Sequence, residues 1–221
     1  MIQTVIFDMD GTIFDTERLL LRSWQEAVER GAAPPRVLDE IPKWRGHTRS
    51  EVREMLEALF EEAFSVDGCM QLRAEIIREI LDREGVPLKE GVPQVFEELK
   101  EMGISMALAT ASSAASVEDY MRRTGYKQYF DRIITGDCVS NGKPAPDLFL
   151  LAAEEVGVSP DKCVVVEDSP NGVRAGVAAG MKVIMVPDLD QPDAQVRRLL
   201  WHCCETLSEI PLLIKTENEN A

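Results

Sequence analysis

The chain reads as a doubly wound, Rossmann-like parallel α/β sheet that carries an inserted all-helical domain. Three observations predict this. Short apolar runs at residues 5–7, 104–109, 163–166 and 181–186 have strand length and no polar alternation, the mark of strands buried on both faces in a parallel sheet. Helical patterns separate most of these runs, and strand–helix alternation builds parallel crossover units. Between the first run and the second lies a long stretch with helical periodicity and no strand pattern.

The first strand, Val5-Ile6-Phe7, runs into Asp8 and Asp10 and then Gly11. In open parallel sheets ligands sit beyond the carboxyl ends of the strands. Residues two apart share a strand face, so both carboxylates look at one pocket if the strand continues, or fan around it if Gly11 turns the chain. Two acids there repel unless a cation or a shared proton compensates them. Charged oxygen donors suit Mg²⁺. A strand-ending Asp-Gly turn is the alternative.

Asp15 or Thr16 caps the next helix, with Leu19, Leu20, Trp24, Ala27 and Val28 at helical spacing and Gly31 with Pro34-Pro35 as its stop. A polar loop at residues 43–49 follows. Thr48 or Ser50 opens a helix whose apolar face is Val52, Met55, Leu56, Leu59 and Phe60, and another spans residues 67–83. After Pro87 the sheet resumes. A helix leads into strand 104–109, then the turn Thr110-Ala111-Ser112-Ser113 and a helix to about residue 124. A short strand ends near Thr135. Asn141-Gly142-Lys143-Pro144-Ala145-Pro146 is a rigid loop, and Asp147 caps the helix after it. Strand 163–166 ends in Glu167-Asp168-Ser169 and a helix at 170–179 follows. Residues 181–186 form the last clear strand, and 194–204 read as helix. The expected organisation is a core of residues 1–14 and 85–213, a helical cap of 15–84, and a disordered polar tail at 214–221.

Composition narrows the partners. The chain has 221 residues, with 39 acidic against 24 basic side chains and a net charge of −15. That surface repels phosphate backbones, so neither nucleic acid nor an anionic membrane is an expected partner. No apolar run reaches membrane-spanning length, and Met1 leads at once into a strand pattern, with no signal peptide. Five cysteines without metal-site spacing fit a reducing cytoplasm. A cytoplasmic monomer acting on a small molecule is expected. Two histidines, His47 and His202, make a histidine-built metal centre a poor fit.

Three further strand ends or loops carry polar groups. Thr110 either caps a helix or, with the exposed amides beside it, holds an anion. Lys143 is either an exposed loop lysine or a cation aimed by the backbone restrictions of Gly142 and Pro144. Glu167 and Asp168 either begin a helix or project at the functional edge of the sheet. Together the sites combine acids, a hydroxyl and a lysine on one edge, the parts needed for metal-assisted phosphoryl transfer.

Four segments in order, Asp8-Met9-Asp10-Gly11-Thr12, Leu108-Ala109-Thr110-Ala111-Ser112, Gly142-Lys143-Pro144-Ala145-Pro146-Asp147 and Val166-Glu167-Asp168-Ser169-Pro170-Asn171-Gly172-Val173, resemble the four motifs of haloacid dehalogenase-superfamily phosphatases. The helical insert resembles the cap of the β-phosphoglucomutase-like branch. The resemblance implies Asp8 as nucleophile, forming an aspartyl-phosphate, and Asp10 as general acid and then base. It implies Mg²⁺ held by Asp8, Asp168 and the backbone carbonyl of Asp10, with Glu167 as an outer acid. Thr110, the amide of Ala111 and Lys143 would hold the phosphoryl oxygens, while Ser112 lines the pocket or caps its helix. Cap closure would exclude water. The loop Arg45-Gly46-His47-Thr48-Arg49 resembles the cap loop that meets substrate; Arg49 either clamps an anionic group or sugar, or is a solvated helix-start arginine. His47 reads as a surface residue.

The departures are informative. Asp10 excludes dehalogenases, which lack that second acid, and Lys143 argues against phosphonatases, which carry arginine there. Leu20 stands where β-phosphoglucomutase-like relatives carry a histidine that couples sugar binding to the acid/base aspartate. The resemblance therefore implies a Mg²⁺-dependent hydrolase of small phosphate monoesters, a phosphosugar or nucleotide-like monophosphate. A β-phosphoglucomutase-like isomerase is the alternative, and a non-catalytic binding protein a third reading.

Overall fold

A computed structural model describes residues 1–44, 49–60, 65–189 and 191–221. The first strand, β1 (Thr4–Phe7), leads into four helices: α1 (Thr16–Glu29), α2 (Val37–Glu40), α3 (Arg49–Phe60) and α4 (Val66–Glu84). Then come α5 (Val92–Glu101), β2 (Ser105–Ala109), α6 (Ala114–Thr124), β3 (Arg132–Ile134), α7 (Asp147–Val156), β4 (Cys163–Glu167), α8 (Pro170–Ala178), β5 (Lys182–Met185), α9 (Ala194–Arg197), β6 (His202–Cys203) and α10 (Ile210–Glu219). The chain divides into two compact units, Met1–Asp15 with Leu88–Ala221, and Thr16–Pro87.

The first unit is the sheet domain. Its order is β3-β2-β1-β4-β5-β6, and every pairing is parallel. The chain builds outward from β1 to β2 and β3, then crosses back to β4 on the other side. That reversal opens a crevice at the carboxyl ends of β1 and its neighbours. The apolar strands are buried because helices cover the sheet. Ile6, Ala107, Val165 and Val183 form a core cluster with Phe149 of α7 and Val173 of α8. Phe7 of β1 meets Phe96 of α5 edge-on, with centroids 5.3 Å apart, the geometry aromatic pairs prefer.

The second unit is helical. Leu19, Trp24 and Ala27 of α1 are buried, as are Ile76 and Ile80 of α4. The guanidinium of Arg73 lies 3.7 Å from the Trp24 ring centroid and donates to the Ser23 hydroxyl. This cation–π contact and the bonds to Ser23 partly compensate a charge inside the bundle.

Three expectations need correction. Residues 194–204 are not one helix: α9 is a single turn capped by Asp193, and β6 then pairs with β5. The open edge of β5 carries unpaired backbone groups, and the amides of Trp201 and Cys204 satisfy them. Residues 214–221 are not a disordered tail, because α10 continues to Glu219. Ile214 is fully buried, Glu217 pairs with Lys182, and the Asn218 amide bonds both backbone groups of Ile2. Asp147 does not cap α7; it lies in the first turn and accepts from the Asn141 side chain at 2.9 Å.

Candidate active site

The register of the sheet assembles the site. Phe7 stands opposite Leu108 on β2 and Val166 on β4, so Asp8, Ala109 and Glu167 leave the sheet at one level. The Asp8 amide still bonds the Val166 carbonyl at 2.9 Å, which makes Asp8 an extension of β1. It is 5% exposed. Beyond it Gly11 adopts φ +79°, a conformation that favours glycine. The position has a second constraint: a Cβ on Gly11 would stand 2.2 Å from Asp168 Oδ2.

Lys143 projects from the loop between β3 and α7 into this acid group. Its ammonium pairs with Asp8 Oδ1 and, at 2.7 Å, with Glu167 Oε1, and bonds the Ala109 carbonyl at 3.3 Å. Its alternative as an exposed loop lysine does not hold. The other oxygen of Glu167 accepts from the amides of Asp168 and Ser169 and from the Ser169 hydroxyl, all within 3.0 Å. Glu167 is thus a buried strut that aims Lys143 and the turn into α8. Gly172 makes room for it, since a Cβ there would fall 1.7 Å from Glu167 Oε1. Ser169, not Asp168, caps α8 through the Gly172 amide.

Asp10 points to a different group. Its Oδ2 accepts from the Ser112 hydroxyl at 2.6 Å and the Thr110 hydroxyl at 3.4 Å. Thr110 is buried and accepts the Ser112 amide at 3.0 Å. Ser113, rather than Thr110 or Ser112, caps α6. Ala111 lies exposed at the turn between β2 and α6. Arg45, Gly46 and His47 lie outside the described residues; Arg49 opens α3, and its side chain also lies outside them. The Ser112–Asp10 contact was not legible in the sequence, where Ser112 reads as lining the pocket or capping its helix.

Electrostatics follow from this crowding. Burial, opposed by the Lys143 charge and aided by Glu167 and Asp10, pushes the Asp8 carboxyl up to about 8. Burial works against the Lys143 ammonium, but Asp8 and Glu167 outweigh it and hold the group well above the usual lysine value. Asp8, Glu167 and Asp168 each offer a carboxylate oxygen within 4.8 Å of one another. An all-oxygen acidic set with a raised carboxyl fits a hard divalent cation such as Mg²⁺. Both Glu167 oxygens are engaged, one by Lys143 and the other by the turn into α8. Asp10 adds no side-chain oxygen to this set.

The comparisons agree with the geometry. A family model for haloacid dehalogenase-like hydrolases matches residues 2–180. A phosphorylated carbohydrates phosphatase of Thermotoga maritima is 34% identical over 82% of this chain and 83% of its own. A fructose-1-phosphate phosphatase of Escherichia coli is 32% identical over 82% and 95%. A solved structure from Thermotoga maritima, provisionally named a β-phosphoglucomutase, superposes with a TM-score of 0.81 at 29% identity, over 97% of this chain and 99% of that one.

Proposed function

The chain belongs to the haloacid dehalogenase-like hydrolases and hydrolyses phosphate monoesters, and from that premise we propose a Mg²⁺-dependent phosphatase of phosphosugars or nucleotide-like monophosphates that works through an aspartyl-phosphate. The observation that carries it is the buried Asp8 paired with Lys143 and flanked by Asp168. A nucleophile must approach an anionic phosphoryl group, and Lys143 lowers the repulsion on its side of the approach. Asp8, Asp168 and the Asp10 carbonyl would hold Mg²⁺, which would supply the remaining positive charge.

In this reading an Asp8 oxygen bonds phosphorus while the ester oxygen departs with a proton from Asp10. Asp10 then takes a proton from the water that discharges the aspartyl-phosphate. Thr110, the Ala111 amide and Lys143 hold the phosphoryl oxygens. Substrate choice is assigned to Arg45, Gly46 and Arg49. Arg49→Ala is expected to slow a sugar phosphate far more than an aryl phosphate; equal losses overturn that assignment.

The first test is hydrolysis of an aryl phosphate with and without Mg²⁺, alongside trapping of a hydroxylamine-sensitive phosphoenzyme. Asp8→Asn should abolish both turnover and trapping, and near-normal turnover by that variant refutes the reading. Hydrolysis is favoured over isomerisation because Leu20, on α1, has no hydrogen-bonding side-chain group. With β-glucose 1-phosphate, a trace of glucose 1,6-bisphosphate and Mg²⁺, free phosphate should outrun glucose 6-phosphate. Stoichiometric glucose 6-phosphate would establish the mutase instead.

A further inference from the structure

We infer that Ser112 is a positioning residue for Asp10: it holds one carboxyl oxygen, Oδ2, and leaves the other, Oδ1, to exchange protons with the leaving group and with water. The inference rests on the phosphatase reading above.

The geometry is asymmetric. Both hydroxyls converge on Oδ2, Ser112 at 2.6 Å and Thr110 at 3.4 Å. Among the described residues, Oδ1 accepts no hydrogen bond. A carboxyl group held at one oxygen by a short hydrogen bond presents its proton on the other, because the first oxygen is already accepting. An unheld carboxyl can rotate about its terminal torsion, which is broad and two-fold. Hydrogen bonds to one oxygen remove that freedom and present one proton-bearing atom.

The donor is itself held in place. The Ser112 amide bonds Thr110 Oγ1 at 3.0 Å, and its carbonyl accepts from the Gly136 amide at 3.0 Å. Two residues on, the Ala114 amide bonds Asp137 Oδ2 at 2.7 Å. The loop after β3 therefore straps the turn at the Ser112 carbonyl and again two residues beyond it. Ser113 takes the capping task of α6, which leaves Ser112 free of it.

The chemistry balances. In the first half-reaction the bond from Asp8 to phosphorus forms, the ester P–O bond breaks, and the proton on Asp10 Oδ1 passes to the departing oxygen. In the second, water oxygen bonds phosphorus, the Asp8–phosphorus link breaks, and Oδ1 takes the water proton. Asp8 and Asp10 return to their starting states, and one ester and one water become one alcohol and one phosphate.

The test is a leaving-group series, 4-nitrophenyl, phenyl and ethyl phosphate, read as kcat/KM, which reports the step that forms the phosphoenzyme. A poor leaving group needs the proton, whereas 4-nitrophenolate departs without it. Ser112→Ala should lose roughly tenfold or more additional rate on ethyl and phenyl phosphate than on 4-nitrophenyl phosphate, and Ser112→Thr, which restores a hydroxyl, should recover most of it. A thermal melt confirms that both variants fold. Uniform loss by Ser112→Ala across the series, or no recovery by threonine, overturns the positioning role. Asp10→Asn is the control: a steep series there with a flat one for Ser112→Ala refutes only the inference. A flat series for Asp10→Asn refutes the acid assignment beneath it.

Discussion

Lys143 Nζ lies 2.7 Å from Glu167 Oε1 while the same ammonium pairs with Asp8, so one buried cation serves two buried carboxylates. Removing it leaves two acids facing one another without compensation. Loss of one partner from a buried ion pair is costly, about 3–5 kcal/mol, and here Asp8 can soften the loss by taking a proton. Lys143→Met should therefore lower the metal-free melting temperature by several degrees, more at pH 8 than at pH 5, and reduce kcat by roughly 100-fold or more. A variant that melts like wild type at both pH values contradicts the pairing.

The raised Asp8 carboxyl carries its own pH signature. Its folded value of about 8 lies above the ordinary unfolded carboxylate value. Between about pH 4 and pH 8 the unfolded chain gives up this proton while the folded one keeps it. Stability from this group is thus present at low pH and lost as pH rises toward 8. Asparagine cannot ionise. In chelator, Asp8→Asn should melt above wild type by an amount that grows from pH 5 to pH 8, on the order of 1 kcal/mol or about 2–4 °C at the upper end. A difference that is constant with pH refutes the assignment.

Gly11 offers a test of the proposed metal site that does not touch a carboxylate. A Cβ at this position meets Asp168 Oδ2 at 2.2 Å in a backbone conformation with φ +79°. Gly11→Ala must move Asp168 or the turn, at a cost of about 1–3 kcal/mol in stability. It should also raise the Mg²⁺ concentration for half-maximal activity by about tenfold or more. Titration of activity against Mg²⁺ measures this, and an unchanged midpoint would show that Asp168 does not bind the ion.

The strand ends carrying Asp8, Thr110 and Glu167-Asp168 were legible in the sequence because each apolar run stops abruptly at polar side chains. Pattern also marked the helical insert, since residues 15–84 never switch to strand periodicity. Contacts between distant residues were not legible. Ser112 and Asp10 are 102 positions apart, and no local pattern reports which hydroxyl a carboxylate will choose. Glu167 looked like an outer acid because its partners, Lys143 and the α8 turn, converge only in three dimensions. β6 is two residues long, too short to show alternation.

The chain's last turn is the sharpest case of composition misleading. Residues 215–221 are polar, yet they continue a helix whose buried face is Ile210, Pro211 and Ile214. The side chain of Asn218 accepts the Ile2 amide at 2.5 Å and donates to the Ile2 carbonyl at 2.9 Å. It thereby pairs backbone groups just before β1, and Glu217 of the same turn pairs with Lys182 at the start of β5. Deleting a disordered tail would leave stability unchanged. Deleting residues 215–221 here removes both attachments and the last hydrogen bonds of α10. The truncated chain should lose about 1–3 kcal/mol, hence roughly 2–4 °C in Tm for each kcal/mol. Asn218→Ala alone should account for a large part of that loss, and Lys215→Ala, at an exposed position, for almost none. The candidate active site lies at the opposite, carboxyl ends of the strands, so kcat on an aryl phosphate below the melting range should stay within about twofold of wild type. A truncation that melts like the full chain would mean that these contacts do not hold the helix in solution.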